Sequence, residues 1–129
     1  MEILGIGIDL VEVGRIERAI ARHEGFVPRV FSARERERCE DCARPGRRYA
    51  ACFAAKEAST KALGTGVRGL SWREVEMLVD EGGRPYMKLS GNAEEIAARH
   101  GVDEILVSVS HTRDMAVAVA QAVGGRSGS

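Results

Sequence analysis

Apolar and polar residues first alternate between Gly5 and Val11, which predicts a strand with Ile6, Ile8 and Leu10 on one face and Asp9 on the other. From Val13 to His23 the period lengthens: Ile16, Ala19, Ile20 and Ala21 recur among Arg15, Glu17, Arg18 and Arg22, the pattern of an amphipathic helix that Gly25 can close. Pro28 interrupts the next segment. A second helix is predicted from Ser32, because Ser32-Ala33-Arg34-Glu35 has the spacing of a capping box. Pro45-Gly46 marks the turn into a longer helix that begins near Arg47 and stops at Gly64, a residue free to take a left-handed conformation. After a loop over Val67–Leu70, Glu74–Asp80 and Tyr86–Leu89 read as a hairpin, with Val75, Met77 and Val79 on the buried face. Asn92 is placed to cap a short helix from Ala93 to His100, ended by Gly101. Glu104–Ser110 and Met115–Val123 form two more strands, and the glycine- and serine-rich residues 124–129 are predicted to be a disordered tail. A helix-rich middle between strands, with two hairpins after it, predicts an α+β fold: a mainly antiparallel sheet packed with helices, as one domain over residues 1–123.

Composition narrows the function. Aromatics are 5% of the 129 residues, so alanine and the aliphatics must carry the core. Nineteen basic and nineteen acidic side chains cancel, leaving no overall field toward nucleic acid or membrane, and neither is expected as a partner. Met1-Glu2-Ile3-Leu4 runs straight into a strand and no apolar run approaches a membrane span, which predicts a cytoplasmic protein. Cys39, Cys42 and Cys52 are odd in number and are expected as free thiols; Cys39-Glu40-Asp41-Cys42 lacks a second ligand pair at zinc spacing. No dinucleotide fingerprint or P-loop is present. Between Arg29 and Arg48, seven arginines face four acids, a local excess of three positive charges; a solvated helix laced with charge pairs accounts for Arg34, Arg36 and Arg38 taken singly.

Two stretches carry candidate chemistry. In Phe53-Ala54-Ala55-Lys56-Glu57-Ala58-Ser59-Thr60-Lys61, the residues Phe53, Glu57 and Lys61 are four apart and share a helix face, while Ala51, Ala54, Ala58 and Ala62 fall on another. An exposed Glu-to-Lys pair, contributing roughly 0.2–0.5 kcal/mol, is the plain reading of that stripe. In the first strand, Gly5 and Gly7 leave backbone uncovered beside Asp9, an arrangement that admits a ligand or another chain. A divalent cation shared by Asp9 and Glu57 would satisfy both carboxylates, and oxygen ligands of this kind suit magnesium.

Gly5-Ile6-Gly7-Ile8-Asp9-Leu10-Val11-Glu12-Val13-Gly14-Arg15-Ile16, Phe53 through Gly66, and Val107-Ser108-Val109-Ser110-His111 resemble, in this order, the holo-[acyl-carrier-protein] synthases, the short-form 4′-phosphopantetheinyl transferases. The resemblance runs from about Met1 to Val123. It implies magnesium-dependent transfer of 4′-phosphopantetheine from coenzyme A to a serine of apo acyl carrier protein, releasing adenosine 3′,5′-bisphosphate, in support of fatty acid biosynthesis. By match to the motifs, Asp9 and Glu57 would hold Mg2+ against the pyrophosphate and Lys61 would face the reacting phosphate. His111 would lie near the nucleotide, Gly64 and Gly66 would let backbone approach the ligand, and Arg47 and Arg48 could reach phosphates. The basic stretch would then serve docking of an acidic carrier protein. One departure is Cys52, where relatives commonly carry arginine; Arg47 or Arg48 would have to substitute.

Two competing classes use the same residues: a module that binds coenzyme A or carrier protein without transfer, and a magnesium-dependent pyrophosphate hydrolase. Assembly is a further expectation. Met115–Val123 is apolar at nearly every position, the mark of a strand buried on both faces, and the glycine face of the first strand is one that a small domain need not cover itself. A homotrimer, which the resemblance implies, would supply the second cover; a monomer whose own helices cover the strand is the alternative.

Overall fold

Alanine and glycine set the architecture. The computed structural model describes residues 1–64 and 69–125. In order they form β1 (Glu2–Glu12), α1 (Val13–Arg22), α2 (Phe26–Val30), α3 (Ala33–Glu40), α4 (Pro45–Leu63), a 3-10 turn (Trp72–Glu74), β2 (Val75–Val79), β3 (Pro85–Leu89), α5 (Gly91–Arg99), β4 (Val102–His111) and β5 (Met115–Gly124). β1, β5 and β4 make an antiparallel sheet in that order, and β2 pairs with β3 in a separate hairpin. This is the expected α+β architecture.

α4 crosses β1, β5 and β4, and small residues on both surfaces let it lie close. Ala54, Ala58 and Ala62 of the helix meet Ala116, Ala118, Ala120 and Ala122 of β5 in the buried core. A Cβ at Gly5 would collide with the Ala62 carbonyl, and one at Gly7 would fall 2.9 Å from both the Ala62 nitrogen and the Lys61 Cβ. The glycine face of β1 therefore lies under the chain's own helix. This corrects the expectation that a small domain would leave it uncovered.

The opposite face of the sheet is the open one. Ile6, Ile8 and Leu10 are 61–64% exposed, joined by Ile3, Leu106 and Val119. β5 is accordingly covered on one face by α4 while the other carries exposed Val119, so burial on both faces does not occur within one chain. Alternation gives the two faces of β1 correctly, but a period of two cannot say which face the rest of the chain will cover.

A buried ion pair ties α3 and the β2–β3 hairpin to α4. Lys56 Nζ donates to Glu35 Oε1 and to the Val75 carbonyl, each at 2.8 Å, with neither side chain exposed. The other Glu35 oxygen accepts from the Met77 amide at 2.8 Å, while Oε1 also takes the Ser32 amide, completing the expected capping box of α3. Glu76, on the second face of β2, is buried as well and pairs with Arg34 at 2.7 Å.

Several boundaries shift for local reasons. Pro28 lies inside α2 rather than interrupting a helix, at its third residue, where its missing N–H has no intrahelical partner to lose. α5 starts at Gly91, not after an Asn92 cap, because Glu74 Oε1 reaches across from the 3-10 turn to accept the Ala93 amide at 3.3 Å. β5 runs through Gly124, one residue into the sequence assigned to the tail, and the Gly125 amide donates to the Gly101 carbonyl at 3.0 Å; residues 126–129 lie outside those described. Among the described residues no helix is long and apolar enough to cross a membrane.

Candidate active site

Asp9 leaves β1 on the face that α4 covers, and the missing Cβ of Gly7 brings the last turns of α4 down onto that strand. Lys61 Nζ then donates to the Ile8 carbonyl at 3.0 Å and to Asp9 Oδ1 at 3.2 Å. Asp9 is only 12% exposed at its side chain, whereas Lys61 is 48% exposed. The second Asp9 oxygen, Oδ2, is buried and has no hydrogen-bond partner among the described residues.

Glu57 lies one turn before Lys61 on the same stripe. Burial raises its pKa first and the Asp9 charge raises it further, against the lowering pull of Lys61 and Arg15. The plain Glu57–Lys61 surface pair predicted by spacing does not form among the described residues; Lys61 turns to Asp9 instead. A cleft of about 280 Å3 opens beside the carboxylates, lined by Asp9, Arg15, Ile16, Phe26, Phe53 and Glu57 among others. Its aromatic wall is fixed by packing, with the Phe53 ring 6.3 Å from Phe26 and 5.2 Å from Trp72 between centroids.

The residues fit a hard divalent cation. Asp9 Oδ2 is a buried acceptor lacking a donor, and Glu57 is a carboxyl whose ionised form is disfavoured until positive charge arrives. Among the described residues no three His, Cys, Asp or Glu groups are arranged to hold a metal. A cation here would take two protein carboxylates and complete its shell with water or ligand oxygens, the habit of magnesium.

The remaining expected residues divide. Arg48 and His111 line a second cavity of about 260 Å3 on the other flank of α4. The sheet register shows the separation: Asp9 pairs with Ala118, which pairs with Val109 of the second cavity, two strand spacings or about 10 Å across. Arg47 lines neither cavity. It follows Gly46, where a Cβ would overlap the Glu17 carboxylate, so that acid already sits against the positive start of α4. Gly64 has a left-handed φ of 84° and ends α4 beside Lys61, as the sequence predicts, while Gly66 lies outside the described residues.

Cys52 is buried in the wall of the second cavity, with Sγ 3.4 Å from Glu35 Oε2. The neighbouring Cys39 thiol, burial and then the Glu35 charge push its pKa well up, so it is an unreactive thiol. Cys42 donates to the Cys39 carbonyl at 3.4 Å, and the three cysteines are free. Sequence reasoning left two placements unforeseen, Lys56 as a core residue inside the motif and Arg38 at the second cavity. Arg15 lines the cleft with Asp9, on the segment that the family resemblance makes active-site wall, rather than serving only as charge at the start of a helix.

A family model described as the 4′-phosphopantetheinyl transferase superfamily matches residues 5–120. The chain is 49% identical over 123 residues to the holo-[acyl-carrier-protein] synthase of Desulforudis audaxviator, covering 95% of this chain and 94% of that protein. The chain belongs to the holo-[acyl-carrier-protein] synthase family. Solved structures of holo-[acyl-carrier-protein] synthases share its fold. That from Neisseria meningitidis has a TM-score of 0.86 at 31% identity, covering 95% of this chain and 99% of its own. That from Helicobacter pylori, solved in complex with coenzyme A, has a TM-score of 0.81 at 31% identity, covering 92% and 99%. As a holo-[acyl-carrier-protein] synthase family member the chain is an enzyme, a 4′-phosphopantetheinyl transferase.

Proposed function

We propose that this enzyme transfers 4′-phosphopantetheine from coenzyme A to a serine of apo acyl carrier protein in a magnesium-dependent reaction, releasing adenosine 3′,5′-bisphosphate. The observation that carries the reading is the incomplete carboxylate pair: Asp9 Oδ2 buried without a donor, next to a Glu57 whose charge is disfavoured. Bound there, Mg2+ would neutralise charge on the pyrophosphate as its bond breaks.

The chain's own residues do the rest. Lys61, held by the Ile8 carbonyl and Asp9 Oδ1, orients Asp9 and retains a donor for a phosphate oxygen at the cleft. Its ammonium acts by charge on the phosphate oxygens. Glu57, in the lining of the cleft beside Asp9, is the chain's own candidate to accept the serine proton. Arg15 adds positive charge to the same cleft, and Phe26 and Phe53 keep its wall dry.

The division of the site supports an assembly. Asp9, Glu57 and Lys61 lie on one flank of α4 and Arg48 and His111 on the other, while an apolar sheet face stands exposed. The reading includes a homotrimer in which that face is covered and a neighbouring chain completes each coenzyme A site, bringing its Arg48 and His111 to the nucleotide. It also takes residues 1–123 as one transferase domain working in the cytoplasm on the carrier protein of fatty acid synthesis.

Product analysis with and without apo carrier protein tests the reaction. Adenosine 3′,5′-bisphosphate should appear only when apo carrier protein is present. Release without it would indicate a pyrophosphate hydrolase, and tight binding of coenzyme A with no release would indicate a binding module.

A further inference from the structure

The three cysteines stand outside the mechanism, and their spacing misleads about which of them meet. Cys39 and Cys42 have the separation of a redox pair, but the Cys42 thiol donates to the Cys39 backbone carbonyl at 3.4 Å, which leaves the Cys39 sulfur for another partner. Glu35 and Cys39 are four apart on α3 and share its buried face, one turn from each other. From α4, Cys52 Sγ lies 3.4 Å from Glu35 Oε2, which brings it against the Cys39 thiol. Both thiols are buried, at 3% and 1% exposure, and both line the second cavity, whose volume of about 260 Å3 admits a small oxidant.

We propose that Cys39 and Cys52 are a reversible redox pair, which a peroxide converts to a disulfide joining α3 to α4 along the wall of the second cavity, with loss of activity. The Cys39 sulfur attacks hydrogen peroxide; the O–O bond breaks, giving a sulfenic acid and one water. The Cys52 sulfur then attacks the sulfenic sulfur, the S–O bond breaks, and the hydroxyl leaves with the Cys52 proton as a second water while the S–S bond forms. Two electrons pass from the sulfurs to the peroxide, and a dithiol returns them on reduction. Cys52 takes the second role because the Cys39 thiol, burial and the Glu35 charge keep it protonated. Such a thiol is slow toward reagents in solution, but a sulfur already in contact with it is held at high effective concentration.

The bond has a consequence for the cavity. Arg48 Nη1 donates to the Arg38 and Asp41 carbonyls, at 2.8 and 3.3 Å, and these two acceptors bracket Cys39 at the end of α3. Disulfide formation shortens a sulfur contact to about 2.05 Å. Cys39 is thereby drawn toward α4 and carries both acceptors of Arg48 with it. The loss of activity rests on the transfer reading, in which Arg48 meets the nucleotide; the crosslink itself does not.

The test treats wild-type, Cys39→Ala, Cys52→Ser and Cys42→Ser enzymes with hydrogen peroxide, blocks remaining thiols with iodoacetamide, and maps tryptic peptides by mass spectrometry before and after dithiothreitol. Arg47 and Arg48 separate Cys52 from Cys39 and Cys42, which share one tryptic peptide. A peptide pair joined through Cys39 and Cys52, lighter than its parts by two hydrogens, should form in wild type and Cys42→Ser and be absent from the other two. Each oxidised enzyme is compared with its own reduced form. Wild type and Cys42→Ser should lose about tenfold in kcat/KM and regain it with dithiothreitol, while Cys39→Ala and Cys52→Ser should lose nothing. A disulfide inside the Cys39–Cys42 peptide, or none in the wild type, overturns the pairing whether or not the variants fold. A crosslink that leaves kcat/KM unchanged, or a loss that dithiothreitol does not reverse, overturns the switch. If no enzyme transfers phosphopantetheine yet the Cys39–Cys52 peptide pair forms, the transfer reading fails and the redox pair stands.

Discussion

Lys61 Nζ lies 3.2 Å from Asp9 Oδ1, and the other oxygen of the same carboxylate is buried without a partner among the described residues. One side of Asp9 is thereby fixed by the chain and the other left to accept from something outside it. Asp9→Ala and Glu57→Ala should each abolish transfer while circular dichroism stays that of the wild type, whereas Lys61→Ala should lower turnover more than metal binding. Wild-type rate for Asp9→Ala at limiting magnesium would contradict a shared cation.

The raised pKa of Glu57 gives a pH prediction with a definite sign. A carboxyl whose folded pKa exceeds its unfolded value binds more protons in the folded state, so ionisation costs stability as pH rises through that window. In chelator, Glu57→Gln should melt higher than the wild type at neutral pH, and the gap should close below about pH 4.3, the ordinary glutamate value. Magnesium should close it at neutral pH as well. Thermal melts of both proteins in chelator and in magnesium would check this; a Glu57→Gln protein that is the less stable one in chelator at pH 7 would contradict it.

Gly7→Ala should damage the site through its geometry. The added Cβ meets the Lys61 Cβ and the Ala62 nitrogen at 2.9 Å, and α4 must lift to make room. The expected stability loss is about 1–3 kcal/mol, by overpacking, and the expected loss of kcat/KM is about a hundredfold, because the lift separates Lys61 and Glu57 from Asp9. Denaturant melts and steady-state kinetics measure the two separately.

Lys56→Met should destabilise the fold by about 3–5 kcal/mol, since it leaves the Glu35 carboxylate buried without its cation. Adding Glu35→Leu should recover only part of that loss, because the Ser32 and Met77 amides then lose their acceptor. Urea denaturation of the two variants gives the comparison.

The exposed face of β1 gives the test of assembly. Ile8→Asp should shift sedimentation equilibrium from trimer to monomer and lower activity per chain, as should dilution of the wild type. A fully active monomer would contradict a site completed between chains.

Local chemistry was legible in the sequence where its cause was local. The Ser32–Glu35 capping box, the left-handed Gly64 and the Phe53–Glu57–Lys61 stripe all depend on residues within one or two helical turns. What depended on packing between distant segments was not. Gly5 and Gly7 read as room for a ligand and proved to be room for α4, and Lys56 read as part of a reactive motif while its partner, Glu35, lies twenty-one residues away. His111 was placed at the ligand by its family motif and Arg48 by its position at the start of α4, but only the strand register shows that α4 stands between them and Asp9. Arg38 looked like one charge among many on a solvated helix, because nothing in its neighbours' spacing marks which face meets a cavity.

The central claim is tested most directly by mass spectrometry of apo acyl carrier protein after incubation with this enzyme and coenzyme A, in magnesium and in chelator. The account expects the carrier protein to gain one phosphopantetheine group in magnesium and none in chelator. An unmodified carrier protein in magnesium, or full modification in chelator, would contradict it.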